Sequence, residues 1–205
     1  MMTQRNGLKW AIRMLVRTVL AGFIIFVTIL LVRAFDTRKM PDLQVWHQID
    51  LSNEFQRSFA GSEITFQQYR DLEDKLFAEL DKKVFSEPGS PKQDKVNRYT
   101  RSSLSCPDRF SQNWNRSFEL VPDQIEGGIL LIHGLTDSPY SMKDLAELFY
   151  KENFYVLALR MPGHGTVPAG LTDVSWKDWM AALKIGARHV RQKTGQEHPF
   201  YMTGY

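Results

Sequence analysis

Gly128-Ile129-Leu130-Leu131-Ile132-His133-Gly134-Leu135-Thr136-Asp137-Ser138-Pro139 is the stretch on which the reading of this chain turns. The short apolar run up to Ile132 has the length and composition of a buried strand. Ser138 and Pro139 then offer an N-cap and a first helical residue, and Met142, Leu145, Ala146 and Phe149 recur at i, i+3, i+4 and i+7. A second apolar run, Phe154 to Leu159, leads into Arg160-Met161-Pro162-Gly163-His164-Gly165. Trp176, Trp179, Met180, Leu183, Ala187 and Val190 mark the inner face of another helix, which Gly195 stops. The chain closes on Pro199-Phe200-Tyr201-Met202-Thr203-Gly204-Tyr205. Strand, helix, strand, helix, strand predicts an α/β fold with a mostly parallel sheet over residues 126–205.

Upstream, residues 36–125 form a connecting region with order of its own. Leu43, Val45, His47, Ile49 and Leu51 alternate with more polar neighbours, which predicts a half-buried strand carrying His47 as an ordinary strand residue. Phe66, Tyr69, Leu72, Leu76, Phe77, Leu80 and Val84 recur at helical spacing behind a Thr65/Gln68 capping box. The charges between them (Asp71, Glu73, Asp74, Lys75, Glu79, Lys82) read as a solvated helix face, and Pro88-Gly89-Ser90 ends the helix. Asn97 to Asn115 is polar and aromatic without a period, and Arg116 to Leu120 reads as an early strand. The single cysteine, Cys106, rules out an internal disulfide and reads as a small loop residue before Pro107.

Residues 1–35 differ in kind. Thr18 to Val32 (TVLAGFIIFVTILLV) carries no charge, and a span from about Ala11 to Ala34 fits the roughly 20 residues that cross a bilayer, with Arg13 and Arg17 snorkelling. This predicts a single-pass membrane anchor. A signal peptide with Val32-Arg33-Ala34 as cleavage site is the alternative. Arg5, Lys9, Arg13 and Arg17 precede the run, which places the N-terminus in the cytoplasm and the bulk of the chain outside it, in the periplasm of a Gram-negative source. Of the 26 Lys and Arg, five lie before Asp36 with no acid among them, so residues 36–205 hold 21 bases against 23 acids. The net charge of +3 is therefore a property of the N-terminus, and no clustered basic face supports nucleic-acid binding.

Leu131-Ile132-His133-Gly134-Leu135, Pro162-Gly163-His164-Gly165 and Tyr201-Met202-Thr203-Gly204-Tyr205, in this order, resemble the α/β-hydrolase superfamily, within it the serine esterases and lipases of the carboxylesterase and monoacylglycerol-lipase kind. The resemblance covers about the last 80 residues. It implies that Gly204 and Tyr205 begin the G-x-S-x-G nucleophile elbow, that the serine follows Tyr205, and that base and acid come later, so that no catalytic residue lies in these 205. It implies an oxyanion-hole donor at the backbone N–H of Leu135, with His133 and Gly134 shaping the loop and neither His133 nor His164 serving as base. It implies no cofactor or metal. The implied substrate is a small-molecule or lipid ester, with the membrane as the other partner. Relatives with an aspartate nucleophile usually carry proline where Thr136 stands, which favours the esterases. The expected function is thus the N-terminal portion of a membrane-anchored serine hydrolase. The alternative is a non-catalytic membrane-tethered interaction or remnant protein. A strand ending at Tyr205 is also expected to present an open hydrogen-bonding edge.

The charge asymmetry makes a direct prediction. A reporter active only outside the cytoplasm, fused after residue 125, gives signal in cells; signal from a cytoplasm-only reporter at the same position reverses the topology.

Overall fold

A computed structural model of the chain describes residues 2–40, 42–58, 64–85 and 96–205. The chain divides into two compact units, 1–43 and 44–205. The first is one helix, α1 (Met2–Thr37), whose segment Lys9–Thr37 is long and apolar enough to cross a membrane. From Val19 to Val32 its side chains are almost all apolar on every side and exposed within the unit, with Phe23 at 61% and Ile24 at 62%; such a stretch has no aqueous face to present. The hydroxyls of Thr18 and Thr28 donate to the carbonyls of Met14 and Ile24 (3.0 and 2.8 Å), so the polar groups inside the apolar run are satisfied within the helix. By length and composition it serves equally as an anchor or a signal sequence.

The second unit is built on a four-stranded sheet of order β1-β3-β2-β4. The strands are β1 (Phe118–Leu120), β2 (Gly127–Ile132), β3 (Phe154–Leu159) and β4 (Phe200–Gly204). β2 pairs parallel with both β3 and β4, and β1 pairs antiparallel with β3. The chain steps from β2 to β3 in one direction and from β3 back past β2 to β4 in the other. Because parallel crossovers are right-handed, the two connecting helices fall on opposite faces. α4 (Lys143–Lys151) brings Ala146 onto Ile129, Leu131, Val156 and Ala158. α5 (Trp176–Thr194) brings Ala182, Ile185 and Val190 onto Leu130, Leu157 and Leu159. β4 lies at the open edge, with Tyr201 and Met202 about half exposed.

Several sequence expectations change in the folded unit. No strand forms over Leu43–Leu51: a short helix, α2 (Val45–Gln48), stands there, with Trp46 buried against Tyr99 and Leu43 and Val45 exposed. His47 turns its Nδ1 back to accept the Gln44 N–H at 3.0 Å, a helix-start role. α3 (Phe66–Leu80) begins at the expected Thr65/Gln68 capping box and widens into a π-turn over Asp81–Phe85. Its charged face is not all solvated. Glu73 is buried, and Glu79 accepts the N–H groups of Ser52 and Asn53 (3.0 and 3.1 Å) and pairs with Lys83. Before α4 the first turn, Pro139–Met142, is 3-10, and Ser138 makes no cap, sending its hydroxyl to Asn115 Oδ1 at 2.8 Å. α5 starts on a Ser175/Asp178 capping box, and its buried stripe runs through Ala182, Ile185 and Val190, leaving Trp176 and Met180 exposed. Cys106 is buried in its loop.

The unit is cross-braced by Arg160, the residue after β3, whose side chain is 1% exposed. Its guanidinium pairs with Glu54 (Nη2 to Oε1, 2.9 Å) and with Glu73 of α3 (Nε to Oε1, 3.0 Å), and also donates to the His164 carbonyl at 2.9 Å. Its backbone N–H donates to Ser117 Oγ, and its carbonyl accepts the Tyr69 hydroxyl at 2.6 Å. Burial opposes the charge, and the two carboxylates outweigh it, so the guanidinium's pKa is raised. Deleting one partner strands a buried charge. Glu54→Ala or Arg160→Ala is therefore expected to destabilise by about 3–5 kcal/mol, read as a fall in the urea midpoint of unfolding. A change below about 1 kcal/mol would contradict this account.

Candidate active site

The turns after β2 and β3 leave toward opposite faces of the sheet, because α4 and α5 lie on opposite sides. In open parallel sheets this opens a crevice at the C-terminal strand ends. Three of the sequence motifs meet there: His133-Gly134-Leu135 after β2, Pro162-Gly163-His164-Gly165 after β3, and Gly204-Tyr205 ending β4, where Gly204 sits in register with Ile132.

His133 is buried and used at both nitrogens. Nδ1 lies 3.0 Å from the Gly134 carbonyl and Nε2 3.0 Å from the Met161 amide nitrogen. The amide can only donate, so Nε2 accepts, and the proton sits on Nδ1. One neutral imidazole thus ties the turn after β2 to the turn after β3. Burial pushes its pKa down to about 4, with His164 and Arg160 acting in the same direction and the Gly134 carbonyl opposing. His164 is buried beside it, ring centroids 5.0 Å apart, with Nδ1 2.9 Å from the Pro162 carbonyl that also accepts from Trp179 Nε1. Burial lowers its pKa as well. No serine or cysteine side chain bonds to either ring among the described residues.

Gly134 lies under the Tyr205 ring, where a Cβ would stand 2.7 Å from it. Tyr205 lies over it and donates its hydroxyl to the Asp137 carboxylate. Burial raises the Asp137 pKa, and hydrogen bonds from Tyr205, Ser141 and the Ser138 N–H outweigh it, leaving the group below its ordinary value. Leu135 is 69% exposed, and its N–H has no hydrogen-bond partner among the described residues. Thr136, with φ 66°, takes the left-handed conformation next to it, uncommon for a non-glycine residue and a feature of functional turns. Gly165, at φ 75°, also packs where a Cβ would stand 2.6 Å from the Asn115 carbonyl oxygen.

Beside these turns is a cleft of about 150 Å³, lined by Arg98, Thr136, Asp137, His164, Thr166 and Leu171 among others. Arg98 and Asn115 were not singled out by sequence, because the stretch from Asn97 to Asn115 has no period to read. Arg98 donates to the Gly165 carbonyl at 2.9 Å, and Asn115 accepts from Ser138, so this aperiodic segment is docked on both turns of the crevice. No cluster of three or more His, Cys, Asp or Glu side chains forms a metal site among the described residues.

No protein-family model matches the chain. Over 66 residues it is 36% identical to a thermostable monoacylglycerol lipase of Bacillus sp. (strain H-257), a match covering 32% of this chain and 26% of the lipase. A solved structure from work on LipS and LipT, two metagenome-derived lipolytic enzymes, is 32% identical, covers 44% of this chain and 35% of its own, and superposes with a TM-score of 0.40. The match therefore spans about a quarter of the length of the curated relative.

The depressed histidines predict how stability depends on pH. Unfolded, His133 takes up a proton below about pH 6.5, whereas folded it does so only near 4. The unfolded chain holds the extra proton between these values, so the stabilisation is complete above about 6.5 and is lost as pH falls toward 4, on the order of 3 kcal/mol for a fully realised shift. Urea midpoints should drop between pH 7 and 5, and His133→Asn should flatten that drop while lowering stability at pH 7. An equal slope in wild type and variant would remove His133 from the account.

Proposed function

Proceeding from its relationship to the lipolytic α/β-hydrolases, we propose that the chain is the N-terminal portion of a membrane-anchored serine hydrolase acting on carboxylic or lipid esters. The observation that carries this reading is Leu135, an exposed residue past the C-terminal end of β2 whose N–H has no hydrogen-bond partner among the described residues, next to the strand that ends in Gly204 and Tyr205. An acyl-transfer site needs a donor aimed at the oxygen that becomes negative in the tetrahedral intermediate, close to where the nucleophile emerges. Leu135 supplies that donor. His133, neutral and bonded at both nitrogens, holds the turn that presents it, and Gly134 lets the β4 end come close.

In this reading Gly204 and Tyr205 open the nucleophile elbow. The serine follows Tyr205, and the acid and base come later in the chain, so His133 and His164 stay structural. α1 is an uncleaved anchor with its N-terminus in the cytoplasm and the crevice on the far side of the membrane.

The test compares the chain ending at Tyr205 with the product of the reading frame continued past that codon. The longer product is expected to react with a fluorophosphonate probe and to hydrolyse p-nitrophenyl butyrate, and alanine in place of the residue after Tyr205 should abolish both. The shorter chain should show neither, because without nucleophile, base and acid only residual acceleration remains. A longer product that is inert to the probe, or a 205-residue chain that turns over at ordinary enzymatic rates, overturns the proposal.

A further inference from the structure

We propose that Arg98 forms an anion-binding subsite of the crevice, so that the ester taken there carries a phosphate or carboxylate group. This rests on the hydrolase reading above and narrows its substrate class.

Arg98 differs from the other arginines packed around it. Arg101 pairs with Asp81 and Asp108, Arg116 with Asp74, and Arg160 with Glu54 and Glu73. Arg98 is half-buried and makes no ion pair among the described residues. Its one hydrogen bond runs from Nη2 to the Gly165 carbonyl, and its guanidinium carbon lies 5.6 Å from the centre of the Tyr99 ring. A guanidinium carries five N–H donors in a fixed fork suited to two oxygens of one carboxylate or phosphate. Among the described residues four of them are left over here, and no carboxylate pairs with the charge.

Position makes this more than an idle surface cation. Arg98 lines three neighbouring cavities of about 250, 350 and 150 Å³. The smallest is also lined by Thr136 and Asp137, which follow Leu135 in the chain, and by His164 and Thr166. The largest is walled by Phe110, Trp114 and Tyr140, a set of rings able to cover hydrocarbon. A cation that lines both a cavity walled in part by aromatic rings and the cavity beside the turn after β2 is a layout for an amphiphile with an anionic head. Asp137 also borders two of these cavities. Its carboxylate is engaged by Tyr205 and the Ser138 N–H, so a bound anion is held by the free donors of Arg98 and not by displacing those bonds.

The test is calorimetric titration of the purified whole chain in a neutral detergent with hexyl phosphate, hexanol and inorganic phosphate. Hexyl phosphate is expected to bind at least tenfold more tightly than either of the others. Arg98→Gln should erase the preference over hexanol, and Arg98→Lys, which keeps the charge and loses the fork, should retain only part of it. Circular dichroism establishes whether Arg98→Gln folds; should it not, the lysine variant decides, and an unchanged preference there overturns the site. Equal wild-type affinity for hexyl phosphate and hexanol overturns it without any variant. Equal affinity for inorganic and hexyl phosphate overturns the assignment to an ester's head group and points to a free anion. Since the titration requires no turnover, charge preference in a protein whose longer product lacks esterase activity refutes the hydrolase reading alone, and activity without charge preference refutes only the subsite.

Discussion

A guanidinium enclosed between two carboxylates is the constraint on which the folded unit depends. Arg160, Glu54 and Glu73 are each nearly inaccessible to water, and they come from three places in the chain: the end of β3, the segment before α3, and α3 itself. Such a cluster adds little net stability over apolar packing, but it penalises heavily any arrangement that separates its members. Ser117, which donates to Glu73 and accepts from the Arg160 amide, brings the start of β1 into the same network. Glu54, α3 and Ser117 are therefore tied to the sheet by charge as well as by the apolar contacts of Phe55, Phe66 and Tyr69 with Leu157 and Leu159.

The same cluster holds the crevice from beneath. Arg160 donates to the His164 carbonyl, and His133 accepts from the amide of Met161, so the turn after β3 is pinned on both sides within five residues. Both histidines are kept neutral by burial, which suits a scaffold and not a proton carrier at neutral pH. Among the described residues the Leu135 N–H has no acceptor, and the Arg98 guanidinium bonds only the Gly165 carbonyl.

Much was legible in the sequence wherever the signal is local. The strands after Gly127 and Phe154, the capping box at Thr65, the glycine stop at Gly195 and the apolar helix near the N-terminus are all written in spacing, because each depends on residues within a few positions of one another. The relationship to lipolytic α/β-hydrolases was legible for the same reason, through short motifs placed at strand ends. The readings that changed share one cause. Glu73 sits at a helical spacing that suits a solvated face, and only a partner 87 residues away makes it a core residue. Trp176 and Met180 are apolar enough for an inner face, yet Ala182 and Ile185 are the residues that pack on the strands. Leu43 and Val45 alternate like a strand, while the burial of one side chain, Trp46, winds the chain into α2.

By itself, then, the sequence determined the order of elements from Gly127 onward and the parallel sheet they imply, since period-2 and period-3.6 patterns and glycine-bearing turns are properties of neighbouring residues. Tertiary structure alone decided that β1 joins the sheet antiparallel, that the aperiodic stretch from Asn97 to Asn115 forms a wall of the crevice, and that Arg160 rather than Arg98 receives the buried carboxylates. Those outcomes depend on which distant groups can be brought within hydrogen-bond reach once the sheet has formed, and no spacing along the chain encodes that distance.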